Sequence, residues 1–75
     1  MGNIIEGIHK EMERARELVK LYEEIGAAGM FGKAAIENTI KRAEKAIESG
    51  EAVDMVKIYV ELKELKSNDP APRGR

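Results

Sequence analysis

The sequence predicts an all-α protein, a three-helix up-down-up bundle followed by a disordered C-terminal tail. Apolar residues recur at steps of three and four along most of the chain, which is the spacing of helical faces. Glycines interrupt this pattern at two places, and both prolines lie in the last six residues. With 75 residues, 36% charged and 43% hydrophobic, the chain suffices for one folded domain, residues 1–66, and a tail, residues 67–75.

The first predicted helix covers residues 3–25. Asn3 is a suitable N-cap residue, and Gly26 is a typical stop signal. The apolar face between them persists for three heptads, so we expect this helix to be long and to pack along its whole length. Its seam consists of Ile5, Ile8, Met12, Ala15, Val19 and Tyr22, widened by Ile4, Leu18, Leu21 and Ile25.

Residues 26–32 form the predicted connection, because three of these seven residues are glycines that permit a reversal. Met30 and Phe31 are too apolar for a solvated loop. We therefore expect them to be buried under the end of the bundle, inside an early first turn of the second helix. That helix covers residues 33–49 and ends at Gly50, a natural left-handed C-terminal residue.

The third predicted helix, residues 52–66, is apolar around much of its circumference. One seam consists of Ala52, Met55, Tyr59 and Leu62, and further apolar residues lie on either side of it. Because each helix of a three-helix bundle touches only two others, its own chain cannot cover all of this surface. We therefore expect a partner interface, formed either with a second copy or with a different protein. Its residues are Val53, Val56, Ile58 and Val60.

The leading functional prediction is thus a small non-catalytic module for protein–protein interaction, a homodimer or a ligand of another protein. The alternative is a weak nucleic-acid-binding regulatory protein that uses basic residues of the second helix. Two features oppose it: Glu37, Glu44 and Glu48 interleave with these basic residues, and the third helix carries apolar residues where base-reading side chains are needed. The basic residues concerned are Lys33, Lys41, Arg42 and Lys45, with Arg73 and Arg75 of the tail.

Catalytic and cofactor chemistry has little support in the sequence. The chain has no cysteine, and its single histidine, His9, has no plausible serine partner, so we expect no enzyme, cofactor or small-molecule substrate. Glu6 and His9 have the Glu-x-x-His spacing of helical di-iron sites, but a full site needs two such motifs. We expect Glu6 to cap the helix and His9 to face solvent, which leaves open a metal shared between two chains.

The membrane is not an expected partner either. No apolar run approaches the roughly 20 residues that span a bilayer, and the N-terminus lacks the basic and apolar regions of a secretory signal. A cytoplasmic protein is the expectation.

One resemblance joins segments across residues 1–66. The segments are Ile4-Ile5-Glu6, Arg16-Glu17-Leu18, Tyr22-Glu23-Glu24-Ile25-Gly26, Phe31-Gly32 and Ala43-Glu44-Lys45-Ala46-Ile47-Glu48-Ser49-Gly50, followed by Met55 and Tyr59. In this pattern the chain resembles small uncharacterised helical proteins of bacterial and prophage genomes. The resemblance implies a bacterial or phage setting and no catalytic residue.

Overall fold

The computed structural model describes residues 3–65 and confirms the all-α prediction. Each helix packs against both of the others, and the described residues contain no β-strand. No helix among them is both long and apolar enough to cross a bilayer. The predicted tail, residues 67–75, lies outside the described part of the chain. The elements are α1 (Ile4–Ile25), a 3-10 turn (Gly26–Gly29), α2 (Met30–Ser49) and α3 (Ala52–Glu64).

The helix ends follow the predicted capping chemistry. The Asn3 side-chain oxygen accepts hydrogen bonds from the backbone N–H groups of Ile5 and Glu6, at 3.1 and 3.2 Å. These bonds satisfy two of the amides that the first turn of a helix leaves without partners. Gly26 and Gly50 have φ angles of 88° and 74°, which an L side chain rarely adopts, and they end α1 and α2 as predicted.

The connection between α1 and α2 is shorter than residues 26–32, because α2 begins at Met30; this confirms that Met30 and Phe31 belong to an early first turn of the second helix. Two glycines make this possible by close approach. A Cβ atom on Gly29 would collide with the Tyr22 backbone carbonyl, and one on Gly32 would collide with the Tyr22 ring. The first turn of α2 therefore lies directly against the last turn of α1, and only the 3-10 turn Gly26–Gly29 joins them.

One core fills the space between the three helices. Ile8 and Leu62 are its largest fully buried side chains, and Thr39 is the only buried polar residue among those described. The Thr39 hydroxyl donates a hydrogen bond of 3.1 Å to the backbone carbonyl of Ala35, so its burial leaves no donor unsatisfied. The apolar core residues are Ile8, Met12, Ala15, Leu18, Val19, Ile36, Ile40, Ala43, Ala46, Met55, Ile58 and Leu62.

The third helix is much shorter than the first. At about 1.5 Å per residue, the 22 residues of α1 span about 33 Å and the 13 of α3 only about 20 Å. Gly7 packs against the Tyr59 ring, and Arg14 reaches the last turn of α3, so the two helices run in the same direction. The last three turns of α1, together with the start of α2, therefore extend past the end of α3.

Arg14 fastens the end of α3 to α1. Its guanidinium donates hydrogen bonds of 2.7 Å to the carbonyl of Leu62 and 2.8 Å to the carbonyl of Leu65, and a third of 2.9 Å to the carboxylate of Glu11. The last carbonyls of a helix lack intrahelical partners and carry its negative dipole end, so a cation stabilises them.

Replacing Arg14 with glutamine is expected to lower the free energy of unfolding by about 1 to 2 kcal/mol, because two charged hydrogen bonds to backbone are lost. Amide hydrogen exchange in the last turn of α3 should accelerate. The matched control is Arg16→Gln, whose exposed ion pair with Glu44 at 3.5 Å contributes less than about 1 kcal/mol. Equal effects of the two replacements would show that Arg14 does not hold α3.

Candidate interaction surface

The outer side of α3 carries a row of exposed valines, which we call the valine stripe: Val53, Val56 and Val60. These residues are spaced by three and four positions, and their exposed fractions are 65%, 52% and 48%. The opposite side of α3 supplies Met55, Ile58 and Leu62 to the core. The helix is thus apolar on two sides, and its own chain covers one of them.

Ile58 does not belong to this surface, so its predicted place in the partner interface is wrong. It is 4% exposed and lies against α2, where it lines a cleft together with Arg42 and Ala46. The physical reason is the angle around the helix: Ile58 is three residues after Met55 and four before Leu62, so it shares their face. The predicted exposure of the three valines, by contrast, is confirmed.

Polar groups border the valine stripe. On one side Tyr59 is half-buried against Gly7, and the Lys63 ammonium lies 5.4 Å from the centre of its ring, within the range of a cation–π contact. On the other side Lys57 and Glu64 are exposed. An apolar centre with a charged border is the arrangement found at protein–protein contacts.

A second apolar surface lies where α1 and α2 extend past α3. We call it the hairpin face and define it by Leu21, Ile25, Phe31 and Ala35, all of them exposed. Phe31 is 88% exposed, so the expectation that Met30 and Phe31 are buried under the bundle is wrong. α3 ends too early to cover this level of the bundle, which is why these side chains stay outside.

The sequence interpretation missed the hairpin face, although a signal for it was present. Leu21 and Ile25 were assigned to the packed seam of the first helix on periodicity alone. The predicted third helix was already eight residues shorter than the predicted first helix, which leaves roughly two turns of the first helix without a third neighbour. Comparing helix lengths, in addition to helix faces, would have located this surface.

The four basic residues of α2 do not come together as one patch. The Lys33 ammonium lies 3.6 Å from the Glu23 carboxylate and 3.7 Å from that of Glu37, on the side of α2 that faces α1. Arg42 donates a 2.7 Å hydrogen bond to Glu61 of α3, on a different side. Lys41 and Lys45 remain exposed, interleaved with Glu44 and Glu48.

The Arg42–Glu61 pair links α2 to α3 and sets the ionisation of both groups. The hydrogen bond from Arg42 lowers the pKa of Glu61 below its ordinary value, and the same bond raises the pKa of Arg42. Because the folded pKa of Glu61 is lowered, the pair stabilises the fold above the ordinary glutamate pKa. That contribution disappears as pH falls through the lowered pKa.

Replacing Glu61 with glutamine is expected to cost less than about 1 kcal/mol at pH 7, because both side chains are nearly half exposed. The difference from the wild-type protein should shrink as pH falls below the ordinary glutamate pKa. Urea unfolding at a series of pH values checks this. A difference that stays constant into the acid range would mean that the charge of Glu61 plays no part.

Glu6 and His9 belong to no metal-ligating cluster within the described part of the chain. Both are exposed on the first turns of α1. Among residues 3–65, no three His, Asp or Glu side chains come close enough together to hold a metal ion.

The fold and its exposed residues define a class: a small all-α three-helix bundle with two apolar surfaces outside its core. Comparison of the chain with protein-family models, with curated proteins and with solved structures finds no match. A functional assignment therefore depends on the chemistry of these surfaces.

Proposed function

We propose that this protein is a small non-catalytic module that binds another protein through the valine stripe of α3. The observation that carries the proposal is the alignment of Val53, Val56 and Val60, each about half exposed or more, on the side of α3 opposite the core. Burial of apolar surface is the main driving force of protein association. Three aligned β-branched residues supply such a surface in a fixed geometry.

The partner that fits this stripe is an amphipathic helix lying along α3. Spacings of three and four residues place the valines in one narrow seam, which matches a second helix with its own apolar seam. The stripe exposes roughly 250 Å² of apolar side chain, slightly less than the largest apolar patch of a typical monomer. A contact of this size indicates a transient complex or one arm of a larger interface.

Capture from a host lysate by the immobilised protein tests the proposal when three forms are compared. Val56→Glu combined with Val60→Lys removes most of the stripe without changing the net charge, and its Glu–Lys pair at four-residue spacing favours the helix. Ala34→Glu with Asn38→Lys introduces the same Glu–Lys pair at two exposed positions of α2 and leaves the valines intact.

The proposal predicts proteins retained by the wild-type and α2 forms and lost from the α3 form. Retention of the same proteins by all three forms would contradict it. Loss from both double variants would show a general effect of surface charge, and it too would count against the valine stripe.

A further inference from the structure

The sides of α1 and α2 that contact α3 extend past the end of α3. On α1 the contacts with α3 are made by Gly7, against the Tyr59 ring, and by Arg14. Positions seven apart lie on nearly the same side of a helix, so Gly7 and Arg14 form one row along α1. The next residue of this row is Leu21, and Ile25 lies one turn further. Leu21 and Ile25 are 48% and 61% exposed, because α3 does not reach them.

On α2, too, the row of residues that contacts α3 extends past the end of α3. Its contacts with α3 involve Arg42, which bonds to Glu61, and Ala46 and Ser49, which line the cleft between the two helices. Stepping back along this row from Arg42 by seven and then four residues leads to Ala35 and Phe31. Both are exposed. By this helical register, the hairpin face continues, past the end of α3, the sides of α1 and α2 that hold α3.

The chemistry of the row changes where α3 ends. Where α3 is present, α1 and α2 hold it with the charged side chains Arg14 and Arg42. Past the end of α3, the hairpin face is uncharged, and it includes the small residue Ala35. Gly32, next to the Tyr22 ring, lies beside it. Small residues let another helix approach closely. The occupant must therefore be an apolar surface, with no need for charge.

The segment of residues 66–75 has a composition unlike that of an apolar occupant. Residues 66–75 contain only Lys, Ser, Asn, Asp, Pro, Ala, Arg and Gly, and none of these is a large apolar side chain.

We propose that the hairpin face is covered by the hairpin face of a second copy of this chain, related by a two-fold axis. Two pairs of antiparallel helices would then close a four-helix bundle, a stable arrangement for such faces. Leu21, Ile25 and Phe31 expose roughly 400 Å² per copy. With Ala35 included, two copies bury about 900 Å², close to the lower limit of about 1,000 Å² for a specific interface, so the dimer is expected to be a weak one.

This pairing leaves the valine stripe of each copy free, so it stands independently of the proposed function. The valine stripe alone would bury roughly 500 Å² between two copies, about half of what a specific homodimer needs. Of the two surfaces, the hairpin face is the larger and the closer to that size.

Sedimentation equilibrium of the full chain over a range of concentrations tests the pairing. We expect the wild-type protein to approach the mass of two chains at high concentration. Ile25→Lys with Phe31→Lys should raise the dimer dissociation constant at least about 30-fold, because two apolar anchors become like charges. Phe31→Gln alone, an uncharged variant, should raise it in the same direction. Circular dichroism verifies that each variant is folded.

The control is the Val56→Glu, Val60→Lys variant, which should dimerise like the wild-type protein. A monomeric wild-type protein at all concentrations would overturn the pairing, as would a dimer unaffected by the hairpin variants. A dimer that dissociates only in the α3 control would assign self-association to the valine stripe. Capture from a host lysate by the folded hairpin variants separates the pairing from the proposed function. The valine stripe is intact in these variants, so the proposed function requires that they still capture the partner.

Discussion

Replacing Ile58 with glutamate is expected to unfold the protein, whereas the same replacement at Val56, two positions earlier, is expected to leave it folded. Ile58 is 4% exposed and packs among core residues of all three helices, so a carboxylate there is buried without a partner. Burying an unpaired charge costs several kcal/mol, and a domain of this size is stable by only about 3 to 5 kcal/mol. Far-UV circular dichroism should show loss of helix at 25 °C.

Val56→Glu is the matched comparison, since it makes the same chemical change on the same helix. Val56 is about half exposed, so its effect on the free energy of unfolding should stay within about 0.5 kcal/mol. A milder probe of the same contrast is Ile58→Val, expected to cost about 0.5 to 1.5 kcal/mol. Similar stabilities for the two glutamate variants would contradict the position of α3 in the bundle.

Replacing Gly29 with alanine is expected to lower the free energy of unfolding by about 1 to 3 kcal/mol, the cost of forcing extra atoms into a packed site. The added methyl group would collide with the Tyr22 carbonyl and lie 3.2 Å from the Cβ atom of Ile25. Backbone cannot move aside as a flexible side chain can, so the first turn of α2 must shift. The midpoint of thermal unfolding should fall by about 10 °C.

Ala28→Ser provides the control for Gly29, because Ala28 is exposed in the same 3-10 turn. It should change the midpoint by no more than about 2 °C. If Gly29→Ala were as harmless as this control, the direct contact between the last turn of α1 and the first turn of α2 would not exist.

The helices and their caps could be predicted from sequence because they depend on local signals. Asn3 at the start of α1 and the glycines after α1 and α2 act on backbone groups only a few residues away in the sequence. The exposed valines were also predictable, since three helices offer α3 only two neighbours. These conclusions need periodicity and capping chemistry, and no knowledge of how the helices cross.

The misplaced residues depend on geometry that periodicity does not contain. Whether Ile58 or Val56 faces the core depends on the rotation of α3, since both lie beside the Met55–Leu62 seam. The role of Gly29 is a contact with a carbonyl seven residues earlier, which looks in sequence like ordinary loop flexibility. Phe31 is exposed because α3 is short. In each case the deciding neighbour comes from another helix.

The most direct test of the central claim, that the valine stripe serves binding and not folding, measures both properties on one protein. The Val56→Glu, Val60→Lys variant is unfolded in urea and, separately, used for capture from a host lysate. The account predicts an unfolding free energy within about 0.5 kcal/mol of the wild-type value, together with loss of the captured partner. A variant that is strongly destabilised, or one that still captures the same partner, would contradict it.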